Sequence, residues 1–552
     1  MSRLFPRPCV ALLAGLMLAA GCRTPSQWSE RTQEADLKRR AAAQAHFAAG
    51  VIQALNEDAS AAYDEFFLAA KCDPQDAELL LEVSNRLIEG RQYPRALDVL
   101  VMASELPNPP DVLFIRLGFV YAQLGQTQKS IDATSRAVAK MPRFLPVRQN
   151  LYINYLKNGQ PDAALKVLND AAAEPGTDAE FLINLAELYI NHGRQFPEQR
   201  AQVSGRALEL LNRARKMTPL DVALYLKLAD GFALLGDVDG AVKIYNELIT
   251  RGDPSPPFRD ILRAKLVDVY LRNNDRAHAS EQLQAILRET PGNASALYFM
   301  GSIAFEDKRW ADAIDYYQRA LLFNPGFEQA RYDLASAQLA AGRDADAVKT
   351  MQETLKQFPG KFAGEYLLGM AYHAQKNYPE ALNRLIAAEA IGRAGETNRL
   401  NTTLYFQLGA TSERAGDRVA AAKYFEKAIE LAPDNSDALN YLGYMWAEKG
   451  ENLKQAKQLI ERALKIEPDS AAYLDSLGWV YYQMGKPREA VDYLLKAVAA
   501  TKDEPDATIH DHLGDAYAAL KDMDKARESW AKSLSIEPSD AVKKKLDDSK
   551  TP

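Results

Sequence analysis

The sequence predicts an all-α protein, an α-solenoid built from stacked helical hairpins. Three observations favour this fold. Apolar residues recur with helical periodicity along most of the 552 residues, and glycine or proline separates the helical stretches. The same arrangement of large and small residues also returns about every 34 residues. One such hairpin cannot bury its apolar face alone, so successive hairpins are expected to pack on one another.

The clearest hairpin lies within residues 472–498. Its first helix carries an apolar stripe at i, i+3, i+4 and i+7, formed by Leu474, Leu477, Gly478 and Tyr481. Gly485 suits the left-handed residue that ends this helix, and Pro487 suits the first turn of the next. Small residues should let the two backbones approach closely, namely Gly478, Ala490 and Ala497.

The spacing W-x2-L-G-x2-Y…A-x3-F…A…P recurs, for example in residues 294–327 and 402–435. It resembles the signature of the tetratricopeptide repeat family. This resemblance implies a right-handed superhelix of about fourteen helix-turn-helix repeats. Residues 111–144 depart from the pattern, because Ser130 and Thr134 stand where alanine and an aromatic residue are usual. The repeats are predicted to begin near residues 43, 77, 111, 145, 179, 222, 260, 294, 328, 362, 402, 436, 471 and 507.

Residues 1–22 are predicted to be a lipoprotein signal peptide. Arg3 and Arg7 precede an apolar core that is shorter than the roughly 20 residues needed to span a bilayer. The segment ends in Leu-Ala-Ala-Gly-Cys and is similar to the lipobox of bacterial lipoproteins, which implies that Cys22 is diacylated and becomes the mature N-terminus. The alternative is an ordinary secretory signal in which the position of Cys22 is coincidental.

Arg23 follows the lipobox cysteine. In lipoproteins of this type an aspartate at that position is the retention signal of the inner membrane, so the resemblance implies an outer-membrane protein that faces the periplasm. Residues 23–42 are polar and are predicted to form a tether. With Cys9 cleaved and Cys22 acylated, Cys72 would be the one free thiol, so no intramolecular disulfide is expected.

Three interruptions of the repeat period divide the array. Extra residues lengthen the loop inside the fifth repeat, a proline-rich segment follows the sixth, and a glycine-containing segment follows the tenth. We therefore predict blocks of repeats at residues 43–255, 260–395 and 402–540, followed by a capping helix and tail at 541–552. In that last helix the side chains of Lys543, Lys544 and Lys545 are expected to face water.

The sequence offers no recognisable catalytic or metal-binding set. It has no Cys-x-x-Cys pair, no glycine-rich phosphate loop and no Gly-x-Ser-x-Gly motif. His510 and His512 are the two close histidines, but residues two apart on a helix project about 200° from one another and cannot bind one metal ion. The net charge of −7 and the absence of a basic stripe argue against nucleic acid. We predict a non-enzymatic protein without cofactor or metal.

In the tetratricopeptide family the first helix of each hairpin lines a groove. The residues that face this groove include those three before and one after the small glycine position of the first helix. Neither series contains lysine or arginine here, so the clamp that holds acidic C-terminal tails in this family is not expected. Aromatic residues with polar tips are frequent anchors of binding surfaces. The alternative is that these rings only pack against neighbouring helices. The candidate partner-binding residues are Tyr298, Tyr332, Tyr366, Phe406, Tyr444, Asp475, Trp479, Tyr482, Asp511 and Asp515.

These features favour a scaffold lipoprotein whose groove binds segments of partner polypeptides. The three aspartates favour partner segments that are apolar or basic. One alternative is an accessory component of a polysaccharide or pilus export machine in the outer membrane. Another is an enzyme whose site is built from loops that carry no known motif. The sequence does not name the partner.

Overall fold

A computed structural model describes residues 30–217, 220–250 and 254–549 of the chain. Within these ranges the regular structure is entirely helical, with 29 α-helices and two short 3-10 turns. The chain divides into two compact units, the first ending at Ser255 and the second beginning at Pro256. Cys22 and the predicted signal peptide lie outside the described residues. No helix of the described ranges combines the length and the apolar character that a membrane span requires.

The first unit contains twelve α-helices within its described residues. They are α1 (Glu30–Leu55), α2 (Ala59–Cys72), α3 (Ala77–Glu89), α4 (Tyr93–Ser104), α5 (Asp111–Gln123), α6 (Thr127–Lys140), α7 (Leu145–Lys157), α8 (Pro161–Ala172), α9 (Ala179–Gln195), α10 (Arg200–Arg215), α11 (Val222–Leu235) and α12 (Val238–Thr250).

The second unit contains the remaining α-helices of the described chain. They are α13 (Pro256–Arg272), α14 (Arg276–Glu289), α15 (Ala294–Glu306), α16 (Trp310–Phe323), α17 (Glu328–Ala340), α18 (Asp344–Gln357), α19 (Phe362–Ala374), α20 (Tyr378–Ala394), α21 (Thr402–Arg414), α22 (Arg418–Leu431), α23 (Ser436–Glu448), α24 (Leu453–Ile466), α25 (Ala471–Gln483), α26 (Pro487–Ala500), α27 (Ala507–Ala519), α28 (Met523–Ile536) and α29 (Asp540–Asp548).

Consecutive helices pack in pairs, from α1 with α2 to α27 with α28, and we number these pairs hairpins 1 to 14. The predicted all-α fold of about fourteen hairpins is confirmed. The first helix of each hairpin begins at the predicted residue except in hairpins 1 and 7, which begin at Glu30 and Pro256. Helix α29 follows the last hairpin without a second helix.

A glycine of the first helix faces a large side chain of the second helix in several hairpins. A Cβ atom on Gly301 would lie 2.7 Å from the ring of Tyr317, and one on Gly478 would lie 2.7 Å from Leu494. Real Cβ atoms do not approach so closely, because protein interiors are close-packed. The small residue and the large residue therefore fit as the sequence pattern predicts. The turn residue Gly485 has a φ of +71°, which favours glycine.

Hairpin 3 solves the same packing problem with polar groups. The hydroxyl of Ser130 donates a hydrogen bond to the carbonyl oxygen of Gly118 at 2.6 Å, and that of Thr134 donates to the carbonyl oxygen of Ser130 at 2.7 Å. The side-chain amide of Asn154, in the next hairpin, donates to Ser130 at 2.7 Å and to Thr134 at 3.2 Å. The buried hydroxyl groups of Ser130 and Thr134 are therefore hydrogen-bonded, and no aromatic ring fills this position.

The extra residues of hairpin 5 lengthen its helices rather than its loop, contrary to expectation. Helix α9 runs to Gln195, and a 3-10 turn at Pro197–Gln199 leads into α10. His192 is fully buried, with Nδ1 3.1 Å from the hydroxyl of Tyr152 and Nε2 2.8 Å from Oε1 of Gln199. This histidine joins the inserted turn to the preceding hairpin.

Candidate functional site

The predicted tyrosines of hairpins 8 and 9 are hydrogen-bonded to nearby carboxylates. The hydroxyl of Tyr298 donates to Oδ2 of Asp333 at 2.8 Å, and that of Tyr332 donates to Oε1 of Glu328 at 2.7 Å. Burial, followed by these carboxylates, raises the pKa of both phenols. Tyr332 is only 7% exposed, so most of its ring packs in the core and little of it can reach a partner.

The next two predicted residues are partly buried. The ring of Tyr366 stacks on Phe362 with centroids 5.8 Å apart. Phe406 meets Phe425 and Tyr441 edge to face at 5.7 and 5.8 Å. Each ring therefore uses part of its surface for packing within the array. Their participation in partner binding stays a prediction.

A compact group of side chains joins hairpins 12 to 14, and we call it the terminal cluster. Its centre is the ring of His512, which stacks on Trp479 with centroids 4.1 Å apart. Trp479 in turn stacks on Tyr482 at 4.8 Å. The terminal cluster consists of Tyr444, Asp475, Trp479, Tyr482, Asp511, His512, Asp515 and Lys545.

His512 forms a buried ion pair with Asp475. Its Nδ1 atom lies 2.9 Å from Oδ1 of Asp475, and each residue is 7% exposed. Burial alone lowers the pKa of His512, but the charge and hydrogen bond of Asp475, with weaker contributions from Asp511 and Asp515, raise it overall. The fold therefore favours the imidazolium form of His512.

Lys545 brings a second cation to the terminal cluster from α29. Its Nζ atom lies 2.8 Å from Oδ1 of Asp511 and 2.7 Å from Oδ2 of Asp515. Burial lowers the pKa of Lys545, but these two hydrogen bonds outweigh burial and raise it overall. Burial raises the pKa of Asp515, because Lys545 and the indole of Trp530 offset only part of the desolvation.

One expectation about this region was wrong. Lys545 does not project freely into water as Lys543 and Lys544 do, because its side chain is only 34% exposed and its Nζ atom contacts two carboxylates. His512 and Lys545 thus supply positive charge to the three aspartates from within the chain.

Neither cation is evident from the groove positions alone, although the spacing of the chain carries a signal for both. Lys545 lies 34 residues after Asp511, and His512 lies 37 residues after Asp475. Such separations are close to one repeat.

A groove of about 730 Å³ runs along the first helices of hairpins 11 to 14. Tyr444 and Asp475 line it, so it is continuous with the terminal cluster. Burial raises the pKa of Tyr444 to about 12, so its hydroxyl is a neutral donor or acceptor near pH 7. The side-chain oxygen of Asn440 is buried and has no hydrogen-bond partner within the described part of the chain. The groove thus offers aromatic surface and an excess of carboxylates over its one lining arginine, Arg414, with the unpaired oxygen of Asn440 buried in its wall.

Parts of this chain are similar in sequence to known proteins of other organisms. A region of 228 residues is 26% identical to cellulose synthase operon protein C of Pseudomonas fluorescens, covering 40% of this chain and 17% of that protein. A region of 275 residues is 23% identical to tetratricopeptide repeat protein 21B of Xenopus laevis, covering 45% and 20%. The matched region therefore spans about a fifth or less of the length of these two relatives.

Many solved structures also resemble the chain, and two of them serve as examples. The Cut9–Hcn1 hetero-tetramer of APC/C matches with a TM-score of 0.39 and 15% identity, over 86% of this chain and 96% of that one. A tetratricopeptide repeat protein from Parabacteroides merdae matches with a TM-score of 0.39 and 15% identity, over 47% and 99%.

The family comparison covers most of the array. One model of the tetratricopeptide repeat matches residues 198–256, 265–330, 409–471 and 476–541. Two further models of the same repeat match residues 304–363 and 362–434, so the matches together cover more than half of the chain. Such repeats typically serve as scaffolds for protein–protein interaction. With its fourteen hairpins and these matches, the chain belongs to the tetratricopeptide repeat family.

Proposed function

We propose that this chain is a non-enzymatic scaffold that binds segments of partner polypeptides along the first helices of its hairpins. The observation that carries this proposal is the 730 Å³ groove of hairpins 11 to 14. It combines the aromatic surface of Tyr444 with the unused acceptor of Asn440. Extended surfaces formed by stacked repeats are well suited to bind segments of other proteins.

We further propose that the scaffold is anchored in the outer membrane through acyl chains on Cys22 and faces the periplasm. The support is the apolar segment that ends at Cys22 and the arginine that follows it. Two acyl chains hold a protein on a membrane stably, whereas a single chain gives only marginal binding. This anchor would concentrate the groove near envelope proteins.

A second candidate function is an accessory role in a polysaccharide export machine. The partial similarity to cellulose synthase operon protein C of Pseudomonas fluorescens favours this class over pilus assembly. Such a role is compatible with a scaffold, because it specifies the partners rather than the chemistry of the groove.

Site-specific photo-crosslinking tests the scaffold function. A benzoylphenylalanine at Tyr444 would lie in the groove, whereas the same group at Leu495, which is 44% exposed on α26, would lie outside it. We expect discrete protein adducts from position 444 in intact cells and none of the same mass from position 495. Identical adducts at both positions, or no adducts at 444, would contradict the proposal. Adducts with polysaccharide synthase or export subunits would favour the second candidate.

A further inference from the structure

Helix α29 lies where the first helix of a fifteenth hairpin would begin. Val542 is 4% exposed and packs against Ala526 and Trp530 of α28. Lys545 follows Asp511 by 34 residues, the length of one repeat, and contacts it directly. The side chain of Lys545 therefore occupies the groove slot that follows those of Asp475 and Asp511.

This helix is attached less firmly than the helices of the hairpins. It has nine residues and buries one of them, Val542, whereas α27 buries five. An isolated helix of that length is marginal in water. The contacts that hold α29 include those of Val542 with its partly buried neighbours, the two ion pairs of Lys545 and a 3.0 Å hydrogen bond from Arg527 to Ser549 just beyond its end.

The slot that Lys545 fills is suited to an ammonium group. The carboxylates of Asp511 and Asp515 approach the same Nζ atom, and their side chains are only 22% and 13% exposed. Low exposure strengthens such pairs compared with those at the surface. Without Lys545, the terminal cluster would hold three aspartates against the single cation of His512.

One buried polar atom in the terminal cluster and another in the groove would be satisfied by a bound main chain. The indole N–H of Trp479 is buried and lacks an acceptor among the described residues, and the side-chain oxygen of Asn440 lacks a donor. Buried polar groups are nearly always hydrogen-bonded in native proteins, so unsatisfied ones call for an explanation. A polypeptide backbone supplies both an acceptor and a donor.

We propose that Asp511 and Asp515 form a lysine-binding subsite at the end of the groove, which α29 fills from within the chain, and that the partner segment carries a lysine that displaces Lys545. This inference rests on the proposed scaffold function and specifies its partner as a basic segment. Charge complementarity supports it, because removal of Lys545 would leave the carboxylates of Asp511 and Asp515 without a cation beside Tyr482. Helix α29 then limits access to this end of the groove.

The test uses the full-length protein and a fluorescent peptide of residues 538–549, with a Lys545→Gln peptide as its control. In the protein, Val542→Asp combined with Lys545→Met should release α29. The matched control protein carries Lys543→Met and Lys544→Met, two exposed positions of the same helix. Peptide binding is measured by fluorescence anisotropy, and circular dichroism verifies that the helices of the hairpins persist.

We expect the released protein to bind the native peptide at least about fivefold more tightly than wild type and the matched control do. The Lys545→Gln peptide should bind the released protein at least about fivefold more weakly than the native peptide. When Asp511→Asn and Asp515→Asn are added to the released protein, the two peptides should bind it with equal affinity. Equal binding of both peptides to the released protein, or no gain on release, would overturn the subsite.

The two proposals can fail separately. If benzoylphenylalanine at position 444 forms no protein adduct in cells while the peptides behave as expected, the lysine subsite stands and the scaffold function fails. If Tyr444 crosslinks a partner while the peptides bind equally, the scaffold function stands and the partner does not use a lysine at this slot.

Discussion

The Nδ1 atom of His512 lies 2.9 Å from Oδ1 of Asp475, although 37 residues separate them in the chain. The contact joins α27 to α25, so a buried ion pair, and not apolar packing alone, links hairpins 13 and 14. Removing one member of such a pair leaves the other charge buried without compensation. This junction is therefore sensitive both to substitution and to pH.

The first prediction concerns pH. Because the fold raises the pKa of His512, its contribution to stability is complete below the pKa of the unfolded chain, about 6.5, and is lost as pH rises through the folded pKa. We expect amide protection in α25 and α27, corrected for intrinsic exchange rates, to fall as pH rises above about 6.5 and through the folded pKa of His512.

A His512→Asn variant provides the control for this pH dependence. It should show weaker protection at low pH and little change as pH rises. Burial lowers the pKa of His373 and of His510, which lies in α27 itself, so these residues shift stability in the opposite direction. Both histidines are present in wild type and variant, so the difference between the two proteins reports His512. Equal pH slopes in wild type and variant would exclude the ion pair as the cause.

The second prediction concerns the strength of the same pair. His512→Ala should cost about 3–5 kcal/mol in the local stability of hairpins 13 and 14, because Asp475 stays buried without a cation. The double variant His512→Ala with Asp475→Ala should lose less than the two single losses combined. Hydrogen exchange of the two hairpins measures all three variants. Strictly additive losses would show that the pair has no coupling energy.

The third prediction concerns packing in hairpin 8. Gly301→Leu should cost about 1–3 kcal/mol, because the new side chain overlaps the ring of Tyr317. The loss of hydrogen-exchange protection should centre on α15 and α16, since each repeat contacts mainly its neighbours. Gly205→Ala in α10 is the control, because nothing lies within 4 Å of its Cβ position. A uniform loss of protection along the second unit would contradict local coupling.

The fourth prediction separates binding from packing in the predicted tyrosines. Tyr332→Ser should lower stability by about 3 kcal/mol or more, because the ring of Tyr332 is buried. Changing Tyr298, Tyr332 and Tyr366 to phenylalanine keeps the rings and removes the hydroxyls. If these hydroxyls contact the partner, affinity measured by titration should fall while the melting temperature changes little. Unchanged affinity would show that the partner does not contact these hydroxyls, and those of Tyr298 and Tyr332 would then serve only their bonds with Asp333 and Glu328.

The fifth prediction concerns the anchor. Wild-type protein should fractionate with outer membranes and carry acyl chains on Cys22 by mass spectrometry. Cys22→Ser should yield an unlipidated or uncleaved precursor that fractionates differently, whereas Cys72→Ser should behave as wild type. A wild-type protein that is soluble in the periplasm without acyl chains would exclude the lipoprotein proposal.

The sequence predicted the helices well because their signals are local. The stripe around Gly478 and the turn at Gly485 depend on residues a few positions apart, and the structure confirms both. The roles of His512 and Lys545 depend instead on which residues meet across successive hairpins. Single-residue patterns do not reveal such contacts, so the sequence indicates neither the ion pair of His512 nor the partial burial of Lys545.

The same difference explains the groove residues. The spacing of Tyr298 and Tyr332 correctly put them at equivalent positions of first helices. It did not indicate how deeply each ring is buried between neighbouring helices, because burial depends on the size of the surrounding side chains. The burial of Tyr332 therefore results from the packing of neighbouring hairpins and not from the sequence pattern of its own repeat.

The hydroxyl groups that replace an aromatic ring in hairpin 3 affect the response of the first unit to mechanical load. Short hydrogen bonds between Ser130, Thr134 and Asn154 hold hairpins 3 and 4 together, and such bonds break over smaller extensions than an apolar interface does. Under tension along the chain, this junction is therefore expected to open over a shorter extension than junctions that are held by apolar packing.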